Sequence, residues 1–247
     1  MNATTLSRII PYVTLGYPDR ATTQALLDLF AELGIQRVEI GIPFSDPMAD
    51  GPVIQAASDY ALSRGTRFRD LTQLKLHSNT DYYVMTYVNL FARVGAENRF
   101  AMLRELGIRG AIIPDLAPEH AAPFRDAARM HNIDLVSFIS TSSDDSRVRT
   151  IAESATGFLY AVSSAAVTGT KISSLEAISR KIAVARQVTT TPICIGFGIR
   201  DAATVRDALH YADGAIVGSA LIEKISPTVD LSTNVAKVKA FLESLAE

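Results

Sequence analysis

At 247 residues, with 48% hydrophobic residues and a formal net charge of −2, the chain can bury a substantial core and has no basic stripe for nucleic acid. One cysteine, Cys194, excludes an internal disulfide, and His77, His120, His131 and His210 lack the spacing of a zinc site. No apolar run of roughly eighteen residues occurs, and M-N-A-T-T-L-S-R is not a basic start followed by an apolar block, so a soluble cytoplasmic protein is expected.

Taken in chain order, short β-branched runs alternate with helical patterns. The strand candidates are Ile9 to Thr14, Arg37 to Ile42, Tyr82 to Tyr87, Gly110 to Ile113, Leu135 to Ser140, Gly157 to Val162, Pro192 to Gly196 and Gly214 to Val217. Between the first two, Leu26, Leu27, Phe30 and Leu33 fall on one helical face; Leu231, Val235, Val238, Leu242 and Leu245 do so at the end of the chain. The stretches L-G-I-Q-R-V-E-I and L-G-I-R-G-A-I-I echo each other as helix end, glycine turn and buried strand. Without a linker or low-complexity tract, residues 1–247 are expected to form one (β/α)8 barrel domain.

The second strand candidate carries the strongest chemical signal, V-E-I-G-I-P-F-S-D-P-M-A-D-G-P from Val38 to Pro52. Glu39 lies inside the apolar run, where desolvation raises a carboxyl pKa towards that of a general acid working near neutrality. Asp46 and Asp50 sit on a loop restrained by Pro43, Pro47, Gly51 and Pro52, just before a helix. On residue type alone Asp50 reads more readily as a helix N-cap than as a catalyst, and Asp46 before Pro47 as an ordinary turn former.

In a barrel of this kind the loops after the C-terminal ends of the strands carry function. The segment S-S-A-A-V-T-G-T-K-I-S-S, Ser163 to Ser174, is small and polar, as a lid requires. The last two strand candidates run into G-F-G-I-R-D and A-I-V-G-S-A, glycine turns leading to helices, an architecture suited to a phosphate.

Together these motifs resemble the tryptophan synthase alpha chain family, whose signature runs E-L-G-x-P-F-S-D-P and then A-D-G-P-x-I-Q. The resemblance implies retro-aldol cleavage of indole-3-glycerol phosphate to indole and glyceraldehyde 3-phosphate, with Glu39 and Asp50 as the catalytic pair. It places Tyr87, Tyr160, Thr168 and Phe197 around the substrate and Gly169, Gly198, Gly218 and Ser219 at its phosphate. Asp46, Pro47 and Asp115 are then expected to face a partner, a beta chain carrying pyridoxal phosphate in an alpha2-beta2 complex, with no cofactor and no metal in this chain. The sequence departs from the family pattern at Ser164 and Ala166, where arginine and glycine are usual, and in the loop P-D-L-A-P-E-H, where the proline moves to Pro118. Those departures keep two alternatives open, a stand-alone lyase releasing free indole and a catalytically impaired subunit that activates a partner.

Overall fold

The computed structural model describes residues 3–162, 174–196 and 198–247. Eight parallel strands close into a barrel in sequence order. They are β1 (Ile9–Thr14), β2 (Arg37–Gly41), β3 (Asp81–Met85), β4 (Gly110–Ile112), β5 (Asp134–Ser140), β6 (Leu159–Val162), β7 (Ile193–Gly196) and β8 (Gly214–Val217). Each lies within or across one of the eight expected runs, because a parallel strand is buried on both faces and reads as a continuous apolar stretch.

The helices that coat the barrel are α1 (Ala3–Leu6), α2 (Arg20–Glu32), α3 (Pro52–Ser63), α4 (Val88–Ala92), α5 (Ala96–Glu105), α6 (Ala122–Met130), α7 (Asp145–Glu153), α8 (Ser174–Ala185), α9 (Ala202–Tyr211), α10 (Ser219–Ile222) and α11 (Leu231–Leu245). The two L-G-I echoes are the same helix stop used twice. Gly34 and Gly107 take positive φ (72° and 76°), and the next amides, of Ile35 and Ile108, return to the carbonyls of Phe30 and Leu103 at 3.0 Å. Among the described residues no helix is long and apolar enough to cross a membrane.

Strand register decides which side chains enter the barrel. Tyr12 on β1 pairs with Glu39 on β2, and Glu39 with Tyr83 on β3, so all three point inwards. The same alternation brings Met85 and Phe138 inwards from odd strands and Ile112, Tyr160 and Ile216 from even ones, as interleaved layers of a barrel require. At the N-terminal end of the strands the groups are charged and paired. Arg109 Nε meets Asp134 Oδ2 at 2.7 Å, Arg186 pairs with Asp213, and Arg8 donates to the carbonyls of Leu209, Ala212 and Asp213 at 2.7–3.1 Å.

Two details differ from the sequence expectation. The third strand ends at Met85, and Tyr87 stands outside it as the cap residue of α4. On α11 Val235, Val238, Leu242 and Leu245 pack against the core as expected, but in the first turn Leu231 is exposed, whereas Asn234 is fully buried, its amide bonded to the Ser226 carbonyl at 3.0 Å and its oxygen to the Ser226 amide at 2.9 Å. A buried asparagine with both ends satisfied costs little, and hydrophobic periodicity cannot reveal it.

Candidate active site

A cavity of about 1180 Å³ opens at the C-terminal mouth of the barrel, bordered by the loops after β2, β4, β5, β7 and β8. Tyr12, Glu39, Asp50, Phe138, Tyr160 and Ser219 all face it, so residues scattered over most of the chain converge on one chamber.

Glu39 is 3% exposed, and its Oε2 is buried without a hydrogen-bond partner among the described residues. Burial, and secondarily the charge of Asp50, pushes its carboxyl up to about 8. No ion pair involving Glu39 or Asp50 occurs among the described residues. A neutral carboxyl facing a cavity is a proton donor held ready at neutral pH.

Asp50 does not cap the helix that follows it. Gly51 is the N-cap of α3, with Pro52 in the first turn and no side-chain cap bond. The Asp50 carboxylate instead accepts a hydrogen bond from the Tyr87 hydroxyl at 2.9 Å, and that hydroxyl accepts one from the Ala49 amide at 3.1 Å. Gln55 of the same motif fixes the backbone from the other side, donating from Nε2 to the Asp50 carbonyl at 2.8 Å. Burial raises the Asp50 carboxyl to about 6 while the Tyr87 bond pulls it down. The two acids are thereby separated, one neutral and one ionised at pH 7.

Of the other expected residues, Tyr87 stands behind Asp50, buried against Phe44 with ring centroids 5.0 Å apart, and is not among those bordering the cavity. Tyr160 stacks on Phe138, also at 5.0 Å, and leans over β7 where a Cβ on Gly196 would strike its ring. Gly198, at φ 76°, and Gly218 and Ser219, at the start of α10, border the cavity from the last two strands. Asp46 is exposed and bonded to the Ser45 hydroxyl at 2.6 Å; its neighbour Met48 is 80% exposed. Asp115 accepts from the Val88 amide at 2.9 Å, tying the loops after β3 and β4 together. Thr168, Gly169 and Phe197, and with them Ser164, Ala166 and Lys171, lie outside the described residues.

Sequence reading missed Tyr12. Its ring enters the cavity beside Glu39 and leans over Gly41, where a Cβ would run into the hydroxyl. A tyrosine in P-Y-V-T-L is indistinguishable from a core aromatic until strand register puts it next to Glu39. Among the described residues no cluster of His, Cys, Asp and Glu is placed to hold a metal ion.

Comparison with known proteins bears on the family and the fold. The family model described as tryptophan synthase alpha chain matches residues 1–247. The chain is 38% identical over 242 residues to the tryptophan synthase alpha chain of Dechloromonas aromatica, covering 96% of this chain and 90% of that one. It is 39% identical over 228 residues to that of Deinococcus radiodurans, covering 90% and 84%. Among solved structures, it superposes on a tryptophan synthase a2b2 complex from Pyrococcus furiosus with a TM-score of 0.86 at 31% identity, covering 97% of each chain. A tryptophan synthase structure from M. tuberculosis gives 0.84 at 31% identity, covering 99% and 94%.

Proposed function

The chain belongs to the tryptophan synthase alpha chain family, and on that premise we propose that its cavity cleaves indole-3-glycerol phosphate to indole and glyceraldehyde 3-phosphate. The observation that carries this reading is the pair Glu39 and Asp50, which share one cavity in opposite protonation states at pH 7. Glu39 gives its proton to C3 of the indole, and positive charge develops on the ring nitrogen. Asp50 accepts the indole N–H and offsets that charge. The bond from C3 to the glycerol chain then breaks with its electrons returning to the ring. The chain hydroxyl becomes the aldehyde and its proton passes to the Glu39 carboxylate, which restores the acid.

Tyr87 acts on this reaction through Asp50, which it holds on the cavity wall. Tyr160 and Phe138 form an aromatic wall for the indole. The turns at Gly198, Gly218 and Ser219 receive the phosphate, helped by the unpaired amides at the start of a helix. Thr168 and Gly169 of the lid segment, and Phe197, keep the substrate contacts that the motif gives them.

The loop of Asp46 and Pro47, with Met48 exposed at its tip, together with the Asp115 loop, is the face we assign to a beta chain bearing pyridoxal phosphate. The loop that meets the partner is thus the loop that carries Asp50, so docking there bears directly on the acid.

The test is indole release from indole-3-glycerol phosphate by the purified chain alone, and again with a tryptophan synthase beta chain and serine. Weak activity rising strongly with the partner is expected. Full activity alone would replace the alpha subunit by an independent lyase, and no indole in either condition would overturn the reaction.

A further inference from the structure

One hydroxyl in the cavity that both acids border has no task in the reaction just described. Tyr12 is the register partner of Glu39, and both side chains enter the barrel. The Tyr12 ring leaves the file of β1 and lies across β2 at Gly41, two residues beyond Glu39 and on the side of the mouth where Asp50 hangs. A side chain at position 41 would displace it, so the glycine is what lets the phenol reach this place.

Tyr12 is 4% exposed yet borders the cavity with both acids. Burial pushes its phenol well above the ordinary range; the charges of Asp50 and then Glu39 push the same way, while the buried Thr14 hydroxyl beside it pulls back. The group is therefore an O–H donor across the working pH range. Glu39 Oε2, by contrast, is a buried acceptor with no donor among the described residues. When Glu39 gives up its proton, that oxygen becomes part of a buried carboxylate; Arg125, Arg147 and Arg200 border the same cavity, but among the described residues no cation pairs with Glu39, so the species is costly unless a donor turns to it.

We propose that Tyr12 is a positioning residue for the acid pair: its O–H serves the carboxylate that carries the charge, Asp50 before proton transfer and Glu39 after it. The inference rests on the reading of Glu39 and Asp50 as the catalytic pair. The groups that act electrostatically on this hydroxyl are Asp50 from the loop after β2, Thr14 of its own strand, Glu39 from β2, Tyr87 from the loop after β3 and Tyr160 from β6. Both of those tyrosines are pushed up by burial and stay protonated, so only the two carboxyls titrate near neutrality.

The experiment is Tyr12→Phe, which keeps the ring over Gly41 and removes only the hydroxyl. Loss of a donor to charged groups lowers kcat by about 10- to 100-fold with KM within about 2-fold, and moves both limbs of the pH profile upwards. A second readout is independent of turnover: carboxyl titration by NMR of the ¹³C-labelled, substrate-free protein, where the Glu39 and Asp50 midpoints rise in the variant. Unchanged midpoints, or a raised KM with an unchanged pH profile, overturn the proposal and leave Tyr12 a packing residue. If the wild-type chain releases no indole but the midpoints still rise, the coupling stands and the reaction assigned to the pair falls.

Discussion

The two ends of the barrel treat their carboxylates in opposite ways. At the N-terminal end Asp134 has Arg109 at 2.7 Å, and Asp213 has Arg186 together with the Ile193 amide at 2.7 Å. At the C-terminal end Glu39 has one oxygen with no partner among the described residues, and Asp50 leans on a neutral tyrosine. The paired carboxylates are also the more exposed, Asp134 at 15% and Asp213 at 42% against 3% for Glu39, so burial and partner together separate the two ends. A paired carboxylate gives up its chemistry to hold the fold, whereas an unpaired one keeps a proton that it can transfer.

The largest effect should come from removing the unpaired acids. Glu39→Gln keeps the shape and deletes the proton donor, so kcat should fall about 10³-fold with substrate binding retained. Asp50→Asn, which keeps a dipole but loses the charge, should cost about 10²-fold. Arg109→Ala at the other end should leave kcat within about 2-fold and lower the melting temperature by a few degrees at most, since this pair is half exposed on the arginine side. Steady-state kinetics and thermal denaturation on the same preparations check all three; turnover by Glu39→Gln near the wild-type rate would remove the distinction between the ends.

A smaller effect, of opposite sign to the usual mutation, concerns stability. The Glu39 carboxyl titrates at about 8 in the fold against an ordinary 4.5. Between those values the unfolded chain releases a proton that the folded chain retains, so Glu39 opposes folding increasingly as pH rises, and the cost levels off above about 8. Glutamine does not titrate. The stability of Glu39→Gln relative to wild type should therefore climb between pH 5 and 8 by on the order of 3 kcal/mol, read as a growing difference in melting temperature. A difference that stays flat across this range would mean that Glu39 is ionised in the fold.

How much of this was legible in the chain follows from the same physics. Glu39 stood out because a carboxylate inside V-E-I has few structural excuses, and the eight strands because buried parallel strands are continuous apolar runs. Asp50 was ambiguous until its side chain was seen to pass over the α3 cap and reach Tyr87, a partner 37 positions away. Tyr12 was hidden because its parity with Glu39 depends on register between strands, and Asn234 because its bonds to Ser226 are invisible to hydrophobic periodicity. Local pattern names the acids, and closure of the barrel names what surrounds them.

A smaller loss of rate than that of either acid probes the side-chain partner that Asp50 has among the described residues. Tyr87 donates to its carboxylate at 2.9 Å and holds the carboxyl below where burial alone would put it. With Asp50 ionising at about 6 and Glu39 at about 8, kcat/KM should follow a bell with limbs near those values, belonging to the coupled pair rather than to either residue. In Tyr87→Phe the stacking on Phe44 survives but the donor is gone, so the acid limb should move upwards and the maximum rate fall by about 10-fold. The basic limb should stay in place, because burial and Asp50, not Tyr87, raise Glu39. A tyrosine can orient a carboxylate without neutralising it, which an arginine cannot do. If the acid limb does not move, Asp50 is held by its backbone through Gln55 alone, and the mouth of the barrel needs no side-chain partner for its charged acid.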